Sequence, residues 1–194
     1  MKQHAPAAAR NREPIREVLA RVLPAHGVVL ELAAGSGEHS VYFAASFPAL
    51  VWQPSDIGDT ALASIAAWRA DSSLPNLREP LRIDVTAQTW PIEHADAIVC
   101  INMIHIAPWQ ATLGMFAGAA RLAVPLLYLY GPYRFDGEFT APSNADFDQS
   151  LRSRNPSWGV RDLRDLEAAA RDQGFRLDEV IGMPANNHSL IFRR

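Results

Sequence analysis

Cysteine is almost missing from this sequence: Cys100 is the only one in 194 residues. That rules out an intramolecular disulfide and a thiolate metal cluster, and it points to a reducing compartment or to indifference to redox; taken with the lack of a membrane span or signal core, a cytoplasmic protein is expected. The six histidines, His4, His26, His39, His94, His105 and His188, are scattered, and no pair has metal-ligand spacing on a helix, so no metal is expected. Positive charge is also in short supply. A formal net charge of −3 and a pI near 6.0 argue against an extended nucleic-acid footprint. No apolar run is long enough to span a membrane, and the N-terminus has no hydrophobic signal core. What remains is 48% hydrophobic and 20% charged, enough to bury a core in one domain over residues 1–194.

Val28 to Leu32, with Glu31 inside it, has the apolar density of a strand covered on both faces. The run Ala33-Ala34-Gly35-Ser36-Gly37 carries little side-chain bulk, so a ligand can approach its backbone. Glu38 to Phe47 then shows apolar residues at helical spacing. A strand–turn–helix of this kind directs backbone N–H groups toward the crevice above a sheet. The third glycine of a dinucleotide fingerprint and the lysine of a P-loop are both missing, which counts against a dehydrogenase or a nucleotide triphosphatase. Val51 to Asp56 reads as the next strand. It sets Asp56 nineteen positions after Gly37, near the spacing of an acid that meets a ribose; the local alternative is a helix N-cap.

Ahead of this region, Met1 to Arg12 is small, polar and basic, and a helix is expected from about Glu13 to Leu23 with Pro14 in its first turn. Asn11 serves as its cap, or Arg10, Asn11 and Arg12 fold over the loop so that an arginine meets a carboxylate. A solvated terminus is the simpler reading. Asp59 to Asp71 reads as a helix, and Leu81 to Ile83 as a short strand running into Asp84-Val85. Ala95 to Met103 is the clearest buried strand, with Asn102 and Met103 at its end and His105 just beyond. A helix over Pro108–Leu122, a strand over Leu126–Tyr130 leading to Tyr133, a helix over Asp162–Gly174 and an antiparallel pair, Leu177–Met183 with Ser189–Phe192, complete the pattern. The alternation predicts a doubly wound, Rossmann-like α/β sheet, mostly parallel with an antiparallel C-terminal strand.

Residues 134–158 interrupt that alternation and are too many for a connector. They read as an active-site insertion acting as a lid, or as a surface excursion around Asn144 to Arg152 with a small core of its own. Asn144, Phe147, Asp148 and Arg154 combine aromatic and hydrogen-bonding groups suited to a small polar molecule. Asn187, in the connection 184–188, is a further candidate, although turn chemistry explains it equally well.

Glu31-x-Ala33-x-Gly35-x-Gly37 resembles motif I of the class I S-adenosylmethionine-dependent methyltransferases, with Ala33 in place of the first glycine. A positive φ at Ala33 would weaken that resemblance as a guide to the cofactor, because a methyl group disfavours such a backbone. The segments Ala9–Ile15, Trp52–Asp56, Asn102–His105, Tyr130–Tyr133, Arg154–Gly159 and Met183–Asn187 resemble, over nearly the whole chain, a family of short methyltransferase-like proteins with no assigned substrate. The resemblance implies S-adenosylmethionine held by Glu31, Ala33, Gly35 and Gly37, with Asp56 on the ribose. It implies Asp84 on the adenine amino group, Val85 against the ring, and Asn102 and Met103 beside the sulfonium. Methyl transfer to a small-molecule acceptor would follow, with Arg12, Asn144, Phe147, Asp148, Arg154 and Asn187 as candidate acceptor contacts. His105 and Tyr133 are the catalytic candidates if the acceptor must lose a proton, and packing in a loop is the alternative for His105. The competing reading is a non-catalytic binding module that keeps the fold and engages a protein partner.

Overall fold

Val29, Leu30 and Leu32 are no more than 1% exposed, as a strand covered on both faces requires, and they lie in β1 (Gly27–Leu32). A computed structural model describes residues 1–194. Its contacts divide into two compact units, Met1–Asp84 with Thr89–Cys100, and Val85–Gln88 with Ile101–Arg194. In the first unit β1 pairs in parallel with β2 (Leu50–Asp56), which pairs with the two-residue β3 (Leu81–Arg82); on its other side β1 pairs with β4 (Ala97–Ile101). Leu30 stands level with Gln53 and Ile98. The helices α1 (Pro6–Val22), α2 (Glu38–Ser46) and α3 (Asp59–Ser72) belong to this unit. In α2, Phe43 packs near Trp52, with ring centroids 5.4 Å apart.

The N-terminus departs from the sequence expectation. Helix α1 begins at Pro6, not near Glu13, so Asn11 is no cap and Pro14 lies inside the helix. Proline suits the first turn, and Ala7, Ala8 and Ala9 are strong helix formers, which explains the earlier start. Burial of Ala8, Ile15, Val18 and Leu19 along one face outweighs the hydrogen bond that Pro14 cannot donate. The residues before the helix are tied down rather than loosely solvated. Gln3 N–H donates to Ser64 Oγ (2.7 Å), Trp68 Nε1 donates to Gln3 O (3.0 Å), and Lys2 pairs with Asp71 (2.5 Å).

The second unit is built on β5 (Leu126–Gly131), every residue of which is buried. After it come β6 (Tyr133–Phe135), β7 (Glu138–Phe139), α5 (Pro142–Arg154), β8 (Arg161–Asp162), α6 (Leu163–Asp172), β9 (Arg176–Met183) and β10 (Asn187–Arg193). Strand β10 runs antiparallel to both β5 and β9. Helix α4 (Trp109–Arg121) carries Phe116, whose ring lies 5.4 Å from Phe192 and 6.1 Å from Phe175. Residues 134–158 are largely regular. Strand β6 forms a hairpin with β7, pairs in parallel with β8, and helix α5 occupies most of the rest. Together the two units give an α/β fold with a seven-stranded, mostly parallel sheet and an antiparallel C-terminal strand, as the sequence pattern predicts.

Candidate functional site

The chain leaves β1 at Leu32 and turns before α2 begins at Glu38. Ala33 (φ 54°), Gly35 (58°) and Gly37 (90°) all sit in the left-handed region. Ala33 thus takes a glycine conformation despite its methyl group, the outcome that counts against the cofactor reading. The strain amounts to roughly 1–2 kcal/mol. The loop is held against it by its neighbours: Ala34 N–H donates to Ser55 O (2.9 Å), Ser55 Oγ to Glu31 O (2.8 Å), and Gly37 N–H to Ala34 O (3.1 Å). The substitution therefore costs stability while the loop keeps the course of a glycine loop. The two glycines differ. A Cβ on Gly37 would lie 2.9 Å from the Ile65 Cα, so packing demands glycine there, whereas a Cβ on Gly35 would meet nothing within 4 Å. Gly35 faces open space that a ligand can occupy.

Asp56, at the end of β2, turns back onto this loop. Its Oδ2 accepts from Gly35 N–H (3.0 Å) and its Oδ1 from Gly58 N–H (2.9 Å), and each oxygen retains accepting capacity for a ligand hydroxyl. Ile83 N–H donates to Asp56 O (3.1 Å), so the exposed Asp84 follows at the same end of the sheet. Glu31 is different: it is 2% exposed, and its Oε2 accepts from Ser40 Oγ (2.6 Å) and Trp52 Nε1 (2.7 Å). Burial raises its pKa to about 7, with a further push from the charge of Asp56. Glu38 begins α2 and accepts from Ala5 N–H (2.6 Å) and Ser36 Oγ (3.0 Å), with His4 Nδ1 at 3.2 Å. Partial burial works against its charge, yet these bonds hold its carboxyl below the usual range.

The N–H groups of Ala34, Gly35 and Gly37 are therefore all taken within the protein, and carboxylates stand at the loop. A phosphate needs open N–H donors and positive charge; this loop is better matched to a cation. Ser64 contributes without belonging to any motif. Its Oγ donates to Ser36 O (2.7 Å), joining the loop to α3. A serine in mid-helix gives no sequence signal of such a role. Arg12, one of the two arginines offered as an alternative partner for a carboxylate, is exposed and lies over the Tyr42 ring at 4.7 Å, while Asn11 Oδ1 is 2.8 Å from His39 Nε2.

In the second unit Asn102 has a positive φ of 64° and donates its N–H to Tyr130 O (2.8 Å), and its carbonyl accepts from His105 N–H (3.2 Å), closing a 3-10 turn over Met103–His105. Met103 is 7% exposed, and Val85, which follows Asp84, is 9% exposed. His105 is wholly buried, and its ring lies edge-on to that of buried Tyr133 with centroids 5.1 Å apart. The two catalytic candidates are thus neighbours. His105 Nδ1 accepts from Arg161 N–H (3.4 Å), which assigns the proton of the neutral ring to Nε2. Burial, reinforced by the charge of Arg161, pushes the His105 pKa down to about 3. In that state its Nε2 carries the proton, has no hydrogen-bond partner and cannot accept a proton. Gly131 is required beside it, since a Cβ there would lie 2.4 Å from Nε2.

The candidates in 134–158 divide by environment. Asn144 Nδ2 donates to Thr140 Oγ1 (2.8 Å) and Asn186 O (3.0 Å), and Asp148 accepts from Val160 N–H and Arg152 Nε (both 2.7 Å). Asn187 Nδ2 donates to Pro184 O (3.1 Å) and Ala185 O (3.2 Å). These three brace local backbone. Phe147 is exposed, and the exposed Arg154 lies over the Trp158 ring at 5.6 Å.

Several solved structures share this fold. An O-methyltransferase family protein from Burkholderia thailandensis has a TM-score of 0.80 at 18% identity, over 97% of this chain and 57% of its own. A methyltransferase of calicheamicin biosynthesis, in its S-adenosylhomocysteine-bound form, has a TM-score of 0.75 at 18% identity, over 96% and 54%. An O-methyltransferase from neocarzinostatin biosynthesis, in complex with S-adenosylmethionine and 2-hydroxy-5-methyl naphthoic acid, has a TM-score of 0.78 at 13% identity, over 96% and 54%. The chain spans a little over half the length of these proteins, and at such identity the likeness is one of fold, that of the class I methyltransferases. Residues 2–194 match a family described as "Protein of unknown function (DUF938)".

Proposed function

The chain belongs to that family, DUF938, and on this premise we propose that it is an S-adenosylmethionine-dependent methyltransferase acting in the cytoplasm on a small-molecule acceptor. The observation that carries the reading is the bond between Asp56 and Gly35, 3.0 Å long, which fixes a carboxylate beside a loop whose Gly35 opens on free space. Asp56 accepts from the ribose hydroxyls with its remaining lone pairs, and Gly35 lets the ligand approach the backbone. Bound S-adenosylmethionine supplies a methyl group on a cationic sulfonium, and a loop flanked by Asp56 and Glu38 favours that charge over a pyrophosphate. Glu31 supports the loop from within through Ser40 and Trp52. Asp84 accepts from the adenine amino group, and Val85, Asn102 and Met103 keep the contacts that the family resemblance implies. Known binding of S-adenosylmethionine, S-adenosylhomocysteine and a naphthoic acid by proteins of the same fold supports a small acceptor.

In-line transfer to a nucleophile depends mainly on alignment and exclusion of water, so few groups need to act chemically. In this reading buried His105 positions its surroundings, accepting from Arg161 N–H at Nδ1, rather than removing a proton. Calorimetry with S-adenosylmethionine, S-adenosylhomocysteine and NAD is the deciding experiment. Binding of the first two is expected. Tight NAD binding with no response to S-adenosylhomocysteine overturns the proposal, and cofactor binding without transfer to any acceptor favours the non-catalytic module.

A further inference from the structure

A cavity of about 470 Å3 opens in the second unit, within the size range of small-ligand sites. Arg134 of β6, Arg152 of α5 and Arg161 of β8 line it, together with Trp109 and Leu113 of α4. Three guanidinium groups brought to one cavity repel one another. Burial holds the Arg161 pKa below the ordinary guanidinium value, the charges of Arg152 and Arg134 push it the same way, and Asp148 offsets this only in part.

Compensation from the protein is thin. Arg152 pairs with Asp148 (2.7 Å). Arg161 is fastened by neutral carbonyls: Nε donates to Ile104 O (2.9 Å), and Nη2 to Ala107 O (2.6 Å) and Ser157 O (2.9 Å), leaving Nη1 for another acceptor. Arg134 makes no side-chain hydrogen bond or ion pair; its guanidinium lies 5.6 Å from the Phe139 ring, and its Nε is buried without a partner. Buried Asp162 also borders the cavity and offsets part of this charge; its oxygens accept from Arg164 N–H (3.0 Å) and Gly137 N–H (2.6 Å), and it forms no ion pair with the three arginines. Asp165 and Asp172 of α6 border it as well; they are exposed, as is Arg152, and solvent screens these charges, which leaves Arg134 and Arg161 as the half-buried cations. A buried N–H donor left unpaired weakens the free protein, and the remaining guanidinium nitrogens of Arg134 have no hydrogen-bond partner in the protein.

The apolar side of the cavity adds a second requirement. Leu113 is 43% exposed and presents apolar surface to the cavity, and the Trp109 ring lies 5.7 Å from the Arg161 guanidinium. The geometry points to a ligand site in which Arg134, Arg152 and Arg161 bind the oxyanion, carboxylate or phosphate, of a small molecule whose flat apolar body lies against Trp109 and Leu113. Guanidinium forks match both oxyanions in bidentate geometry, and aromatic faces accept flat rings. The site lies wholly within the second unit and does not rest on the cofactor reading.

Calorimetric titration of the full chain with benzoate, phenyl phosphate and benzamide, without cofactor, tests the inference. Saturable binding of benzoate or phenyl phosphate is expected, with neutral benzamide at least roughly tenfold weaker; the stronger anion separates carboxylate from phosphate recognition. Arg134→Met should weaken that anion by roughly tenfold or more while the melting temperature stays level or rises, because an unpaired buried donor is gone. Leu113→Asp, at an exposed helix position, is the second variant and should also weaken the anion by about tenfold. No saturable anion binding in the millimolar range, equal binding of benzamide, or unchanged anion affinity in both variants overturns the assignment.

Discussion

In Glu31→Gln an amide of nearly the same shape replaces the buried carboxyl, and the expected result is a change in how stability depends on pH. Burial, opposed by hydrogen bonds from Ser40 and Trp52 and reinforced by the charge of Asp56, raises the Glu31 pKa from 4.5 to about 7. Between those values the folded protein keeps a proton that the unfolded chain releases. Stability falls with rising pH wherever the native state binds more protons, so Glu31 weighs least against folding below pH 4.5 and loses ground as pH climbs to about 7. The full loss is roughly 3 kcal/mol. His39 and His105 act with the opposite sign. Burial lowers their pKa values from 6.5 to about 4 and about 3, so the unfolded chain binds the extra protons and stability rises with pH up to 6.5. The wild-type profile therefore mixes both trends, but the difference between wild type and Glu31→Gln cancels the histidines. Urea unfolding of both proteins from about pH 4.5 to about 8 should show that difference moving by roughly 3 kcal/mol in favour of glutamine, at constant m. A flat difference over that range refutes the reasoning, since it means that the carboxyl titrates as if solvated.

Other substitutions separate the shape of the loop from its use. Ala33→Gly removes the left-handed strain and should stabilise the protein by roughly 0.5–1 kcal/mol after the added freedom of the unfolded chain is counted; a loss of stability in urea unfolding would contradict the strain. Gly37→Ala drives a Cβ into the Ile65 backbone and should destabilise by roughly 2 kcal/mol, whereas Gly35→Val should leave the chain folded and abolish S-adenosylhomocysteine binding; retained binding would make the loop an ordinary turn. Asp56→Ala should weaken that binding by about 1.5–3 kcal/mol in calorimetry. It should also lower stability by roughly 1–2 kcal/mol, because Gly35 and Gly58 lose their acceptor. Hydrogen exchange over 134–158 should slow when S-adenosylhomocysteine and an acceptor are added, as a lid requires; protection without ligand equal to that of Ile98–Ile101 would make the segment a static layer.

Regular elements were legible because their signals are local. Apolar runs mark β1, β4 and β5, helical spacing marks α2, α3, α4 and α6, and the observed boundaries lie within a few residues of those expected. The small residues from Ala33 to Gly37 likewise announce a turn, and the position of Asp56 follows from the length of one helix and one strand. The start of α1 was not legible. The rule that places proline in a first turn fits both Pro6 and Pro14, and the choice falls to Pro6, where Ala5 N–H reaches Glu38 and Gln3 N–H reaches Ser64.

Side-chain roles depended on partners distant in the chain. Glu31 reads from sequence as a ligand contact, but packing encloses it with Ser40 and Trp52, and burial then sets its charge. His105 reads either as a catalytic candidate or as a packed loop histidine, and only its enclosure beside Tyr133 and the N–H of Arg161 makes it neutral with its proton on Nε2. Arg134, Arg152 and Arg161 lie on three separate elements, and no spacing joins them until β6, α5 and β8 fold to one cavity. Periodicity and turn chemistry act over a few residues and survive in any context, so the amino-acid order alone determines the elements and the loop. Solvation, proton affinity and the meeting of distant charges depend on which surfaces are removed from water, and that is decided only when the chain packs.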